Sequence, residues 1–313
     1  MTALAEGTPI ALGFIPEPVV TWADLRGIRF EDPFFRDTLR RVPPERLQAL
    51  SGIEALRDLD HRPTLEPSLF IFHVSRCGST LLSQMLATLP EHVVIAEAGV
   101  INGILSAAPP PASRDELLRL LIRALGRNRG DQARHLFVKF SSWNVLWSEA
   151  IHRVFPDTPM VWLQRDPLAV AASHARHPAG WAGWREAGNP ALAMFGLTVA
   201  EARAASASRF RLHALEALYR AAGASRLAWL VVDYAELPRA LWGRIADHAR
   251  LSWDASQVDR MRARARFDSR TNDGQPFVAH DATGRLSDDE RRFIAERIAP
   301  LYRAIGRSGP DQL

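Results

Sequence analysis

Along the middle of the chain, short unbroken apolar runs alternate with longer stretches whose apolar residues recur at helical spacing. The runs cover residues 69–74, 92–96, 135–140, 160–164 and 227–232. None shows the in–out alternation of a strand with one wet face, so each predicts a strand buried on both sides of a parallel sheet. Helical spacing follows at 81–89, after Ala98-Gly99, and at 113–125, 168–177, 198–222, 238–251 and 255–265. Ser287 opens a terminal helix running to about residue 305. Strands alternating with helices predict an α/β fold in three layers, a parallel sheet between helices.

Residues 1–66 follow a different pattern. Pro9, Pro16, Pro18, Pro33, Pro43, Pro44 and Pro63 interrupt them. Two short helices are expected there, at 34–41 (Asp32 as N-cap, Pro33 in the first turn) and at 44–56. The stretch reads as a small N-terminal extension on a main domain at 67–313, either closing over a ligand or covering a sheet edge. Further along, Ser113 and Glu116 have the spacing of a capping box. The triple proline 109–111 and the polar stretch 271–284 read as surface loops. Residues 178–195, with Trp181, Trp184 and several glycines, read as a lid or an aromatic wall for substrate or adenine.

Composition narrows the function classes. A chain of 313 residues with 47% hydrophobic content can bury a large core. The net charge is only +4 and the arginines are scattered, which argues only weakly for nucleic acid; a small polyanion explains scattered basic sites equally well, and no nucleic-acid partner is expected. Cys77 is the sole cysteine, which excludes an intrachain disulfide and a cysteine zinc cluster. The ten histidines show no metal-binding spacing. The opening residues lack a basic leader, and no segment approaches the apolar length of a membrane span, so a cytoplasmic protein is expected.

The candidate chemistry lies where the strands end, since ligands of open α/β sheets bind beyond the carboxyl ends of the strands. After the first run, Ser75-Arg76-Cys77-Gly78-Ser79-Thr80 turns the chain into a helix. Backbone N–H groups, a helix N-terminus and a glycine that allows close approach make such a turn an anion site. It has no lysine after Gly78, unlike the loop of nucleotide-hydrolysing enzymes. Glu97 ends the second run, as a catalytic group or as a cap for the next helix. Lys139, the only lysine, stands inside the third near its C-terminal end, where a buried ammonium needs a carboxylate or a bound anion. Arg165 ends the fourth, and Ser173 follows two helical turns later. The pair could grip a phosphate, or be an Arg165–Asp166 surface pair and a serine bonded to its own backbone. The run Asp233-Tyr234-Ala235-Glu236-Leu237 ends the fifth.

Taken together, these motifs resemble the sulfotransferases that use 3′-phosphoadenosine 5′-phosphosulfate (PAPS). S-R-C-G-S-T is similar to that family's P-[KR]-S-G-[ST]-T loop, with Cys77 at the usual serine. Arg165-Asp166-Pro167 with Ser173 has the spacing of its R-[DN]-P and serine motif, and residues 233–237 are a loose version of its Y-E-[DE]-L run. The resemblance covers about residues 68–250. It implies a P-loop-type fold, PAPS as donor, 3′-phosphoadenosine 5′-phosphate (PAP) as product, no metal, and a small-molecule hydroxyl or amine acceptor. It also implies that Arg76, Cys77, Gly78, Ser79 and Thr80 bind the 5′-phosphosulfate, and that Arg165 and Ser173 bind the 3′-phosphate. Two departures matter. Lys139-Phe140-Ser141 lacks the histidine of the cytosolic K-T-H type, so the chain looks closer to bacterial and tyrosylprotein-like members, with Glu97 as base and Lys139 beside the sulfuryl group. The family's R-K-G loop is also missing, and Arg270 is the expected substitute. A P-loop nucleotide or small-molecule kinase, and a noncatalytic nucleotide-binding protein of the same fold, are the competing readings.

Overall fold

The computed structural model describes residues 6–14, 17–47, 49–107, 113–127, 129–270, 274–276 and 285–307. Five strands form one parallel sheet: β4 (Pro67–His73), β5 (His92–Ala96), β6 (His135–Lys139), β7 (Met160–Gln164) and β8 (Leu230–Asp233), in the order β5-β6-β4-β7-β8. Leu69, Phe70, Ile71, Phe72, Phe137, Val138, Val161 and Trp162 are fully buried, as strands covered on both faces require. The α/β sheet flanked by helices is therefore as the apolar runs predict. β4 is central: β5 and β6 lie on one side of it and β7 and β8 on the other. The order in which strands are added reverses there, and the crevice at such a switch point is where α/β sheets bind ligands.

The N-terminal residues depart most from expectation. β1 (Thr8–Phe14), β2 (Pro18–Ala23) and β3 (Ala49–Gly52) make a small antiparallel sheet, absent from the sequence reading. The prolines that mask it stand where strands tolerate them: Pro18 is the first residue of β2, and Pro9 lies on edge strand β1 beside a bulge. Val20 and Trp22 face the core, and Trp22 Nε1 donates to Ser51 Oγ at 2.8 Å. The expected helix at 44–56 is replaced by a 3-10 turn (Pro44–Arg46), β3 and a short helix (Glu54–Asp58). The helix expected at 34–41 exists as Phe35–Arg40, but Asp32 does not cap it; its carboxylate accepts instead from Thr38 Oγ1 and Arg41.

Other differences are local. Ser113 stands at the N-cap of the helix Arg114–Leu125 without a side-chain cap bond, and Glu116 pairs with the Arg57 guanidinium at 2.8 Å instead of completing a capping box. The segment 178–195 folds into three short helical turns around Trp181, which is buried against His174, Phe195 and Phe210. The helix expected at 198–222 is two, Val199–Ala204 and Ala207–Ala224, because Ser206 supplies a second N-cap. Ser287 does cap the terminal helix, in a full capping box with Glu290. The loop 109–111 and most of 271–284 lie outside the described residues. No described helix is long and apolar enough to cross a membrane.

Candidate active site

Parallel register brings the strand ends onto one rim. Ala96 pairs with Lys139, His73 with Leu163 and Gln164 with Asp233, so Glu97, the 75–80 turn, Arg165 and Tyr234 leave the sheet side by side. The backbone along that rim is unusual. Arg76 (φ 68°) and Glu97 (φ 58°) are left-handed, a conformation side chains rarely adopt, and Gly78 (φ 87°) joins them. Strain of this kind persists only where the surroundings over-determine it, and it clusters at functional sites.

The turn after β4 leads into the helix Ser79–Leu86, with Gly78 as its N-cap. Cys77 and Ser79 are buried and Thr80 is half-buried. Burial pushes the Cys77 thiol up to about 12, so the side chain is an inert core group and only its backbone N–H can serve an anion. A Cβ at Gly78 would stand 2.7 Å from the Tyr234 ring. The glycine is thus required by its neighbour as well as by its φ, before any ligand is considered.

Two motifs far apart in sequence meet at Arg76. Its Nε donates to Ser173 Oγ at 3.0 Å, across 97 residues. Arg165 Nη1 donates to Arg76 O at 3.3 Å, and its guanidinium carbon lies 4.2 Å from the centroid of the Tyr234 ring. The bland alternatives for this motif do not occur: Asp166 caps the helix Pro167–Arg176 through the Ala169 N–H, and Ser173 serves Arg76. Burial first, then the charges of Arg270, Arg165 and Arg176, push Arg76 down to about 10, with Asp268 as the opposing acid. Arg270 is tied to Asp268 through Nε at 3.2 Å and Nη2 at 2.9 Å. A cluster of four arginines around one acid, three of them half-buried and Arg270 exposed, suits a polyanion.

Across the rim, Lys139 Nζ lies 2.8 Å from Glu97 Oε1. The lysine is fully buried, with the Phe34 ring centroid 4.8 Å from its ammonium, while a quarter of the Glu97 side chain is exposed. Glu97 is not a cap for the following helix, whose N-cap is Ala98. Burial works to raise its carboxyl, but the charges of Lys139 and His73, the Lys139 hydrogen bond and Arg36 outweigh it, and Glu97 titrates below its ordinary value. Ser141 Oγ lies 3.5 Å from Glu97 Oε2 and accepts from Asn102 Nδ2 at 3.0 Å.

The nearby histidines are engaged in buried hydrogen bonds. His73 Nε2 and Nδ1 face the carbonyls of Phe140 (2.9 Å) and Val74 (3.1 Å), and burial with the Lys139 charge pushes the ring down to about 4. His174 accepts the Ala179 N–H at Nδ1, so Nε2 carries the proton and donates to Ser75 Oγ at 2.7 Å. Burial holds that ring at about 3. It steadies the start of the 75–80 turn. Tyr234 and Phe34 are the contributors that sequence reasoning missed. The D-Y-A-E-L run marked the first, whereas nothing in the pattern marked the second.

No family model matches this chain, and no curated protein does. Among solved structures, it is similar to a sulfotransferase from Alicyclobacillus acidocaldarius, at 14% identity and a TM-score of 0.43, over 77% of this chain and 94% of that one. The sulfotransferase domain of the Synechococcus PCC 7002 olefin synthase gives 18% and 0.39, over 79% and 95%. Mouse sulfotransferase SULT7A1, complexed with PAP, gives 12% and 0.41, over 82% and 96%. A likeness this loose decides nothing about the chemistry, which rests on the site itself.

Proposed function

We propose that the protein is a sulfotransferase that moves a sulfuryl group from PAPS to a hydroxyl or amine of a small-molecule acceptor, by in-line transfer with Glu97 as general base. The observation that carries the reading is the Arg76–Ser173 hydrogen bond, which joins the phosphate turn to the arginine–serine motif across the sheet's switch point. Arg76 and the N–H groups of residues 77–80 would hold the phosphosulfate end. Arg165 and Ser173, with Arg176 and Arg270 close by, would hold the 3′-phosphate.

PAPS supplies the sulfuryl group: the acceptor oxygen or nitrogen bonds to sulfur while the sulfur–oxygen bond to the 5′-phosphate breaks. Glu97, ionised at neutral pH, takes the acceptor's proton as that bond forms. Arg76 and the loop donors stabilise charge growing on the departing phosphate. Lys139 works first through Glu97, keeping it charged and oriented. Direct contact between its ammonium and the sulfuryl group requires the Phe34 ring to shift.

A kinase reading is weaker, because the loop has no lysine after Gly78 and the single lysine is committed to Glu97. Transfer of radiolabel from PAPS to an acceptor panel tests the proposal. Labelled product that is lost in Glu97→Gln supports it, whereas phosphoryl transfer from ATP–Mg with no use of PAPS contradicts it.

A further inference from the structure

Residues 1–66 lie outside the phosphate motifs, yet they reach the site. Arg29 Nη2 donates to Ala87 O at 3.0 Å and Gln84 Nε2 donates to Glu31 O at 2.8 Å. These bonds fix the segment before the helix Phe35–Arg40 against the end of the helix Ser79–Leu86. Phe34 then lays its half-buried ring against the Lys139 ammonium. The Arg36 guanidinium carbon stands 5.0 Å from the centroid of the same ring.

Arg36 differs from its neighbours. Arg40 donates to Asp37 at 3.0 Å and Arg41 donates to Asp32. Arg36 comes no nearer than 3.8 Å to Asp37, beyond hydrogen-bond reach, and 68% of its side chain is exposed. Among the described residues no carboxylate accepts a hydrogen bond from it. It shares the Phe34 ring with the Lys139 ammonium, itself 2.8 Å from Glu97, which places it at the same edge. An acceptor whose hydroxyl reaches the exposed part of Glu97 has Lys139 closing one side of that carboxylate, Phe34 covering Lys139, and Arg36 above Phe34.

Building on the sulfotransferase reading, we propose that Phe34 and Arg36 form the acceptor wall, and that the acceptor is a small hydroxylated organic anion. Its apolar body lies on Phe34, its anionic group pairs with Arg36, and its hydroxyl meets Glu97. The hydroxyl proton goes to Glu97, its oxygen bonds to the sulfur of PAPS, and PAP leaves with the electrons of the broken sulfur–oxygen bond.

The test uses the full chain, radiolabelled PAPS and a matched pair of probes, 4-hydroxyphenylacetate and its methyl ester. The acid is expected to be sulfated with the higher kcat/KM. In Arg36→Gln the acid-over-ester ratio should fall about five- to tenfold, through KM, as expected for an exposed charge-assisted contact. Arg36→Lys should retain most of the ratio. Equal use of acid and ester, preference for the ester, or sulfation of neither while PAP still binds overturns the proposal. Failure of the wild-type protein to bind PAP would overturn the sulfotransferase reading and this proposal with it.

Discussion

Lys139 and Glu97 end adjacent strands and form an ion pair of 2.8 Å, with the lysine fully buried and the glutamate open on one side. The glutamate N–H also donates to Lys139 O at 2.8 Å, so the pair is held through backbone and side chain together. The arrangement keeps a half-buried carboxylate ionised without covering it.

The pH dependence of turnover follows. Glu97 titrates below its ordinary value, so the acid limb of kcat/KM should lie below the usual carboxylate range. Lys139→Met removes the main lowering charge and leaves the burial that opposes it, and the limb should move to higher pH. Glu97→Gln should lower turnover by about two to four orders of magnitude. A pH–rate profile of both variants against an accepted substrate checks this; an unmoved limb in Lys139→Met would detach the lysine from the base.

Stability should report the same pair. Glu97→Gln leaves a buried ammonium without its carboxylate, at a cost of about 3–5 kcal/mol. The double variant Glu97→Gln/Lys139→Met removes both charges and should recover much of that loss in denaturant unfolding. A double variant no more stable than the single one would mean that Lys139 has another anionic partner.

Gly78 carries a different expectation from that of a phosphate cradle alone. Because an added Cβ meets Tyr234 at 2.7 Å and the φ is left-handed, Gly78→Ala should destabilise the ligand-free protein, by roughly 1–3 kcal/mol. Adding Tyr234→Ala should relieve the clash but not the backbone strain. Thermal unfolding of the three variants separates the two contributions.

Acid should weaken the fold through its buried histidines. Burial holds His73 and His92 at about 4 and His174 at about 3. These groups are depressed relative to the unfolded chain, which binds their protons first as pH falls. Stability is therefore complete above the ordinary histidine value and declines from there toward pH 4. Unfolding midpoints measured from pH 7.5 down to pH 4.5 should fall most steeply below pH 6.5, and His174→Phe should flatten the slope. Unperturbed histidine titrates at about 6.5.

The strand ends were legible in the sequence because buried parallel strands leave unbroken apolar runs, and four of these runs have a candidate site residue at or near their end. Arg76, Glu97, Lys139 and Arg165 stand where those runs end. What joins them was not legible. The Arg76–Ser173 bond spans 97 residues, and only the sheet order brings its ends together. The β1–β3 sheet was hidden by prolines that signal turns in general but are tolerated on an edge strand or at a strand start. Trp181 looked like a loop aromatic because glycines surround it, and it is core because helical turns on either side bury it. Phe34 left no trace, since its role depends on where a separate small sheet delivers the chain.

The central claim is that the arginine–serine motif selects a nucleotide carrying phosphates at both the 3′ and 5′ positions. Calorimetric titration with adenosine 3′,5′-bisphosphate, AMP and ATP–Mg tests it most directly, in the wild-type protein and in Arg165→Ala. The account predicts that the wild type prefers the bisphosphate over AMP by about ten- to a hundredfold, as a charge-assisted contact of roughly 1.5–3 kcal/mol supplies, and that Arg165→Ala loses most of that preference. Equal affinity of the wild type for bisphosphate and AMP, or tighter binding of ATP–Mg, would contradict it.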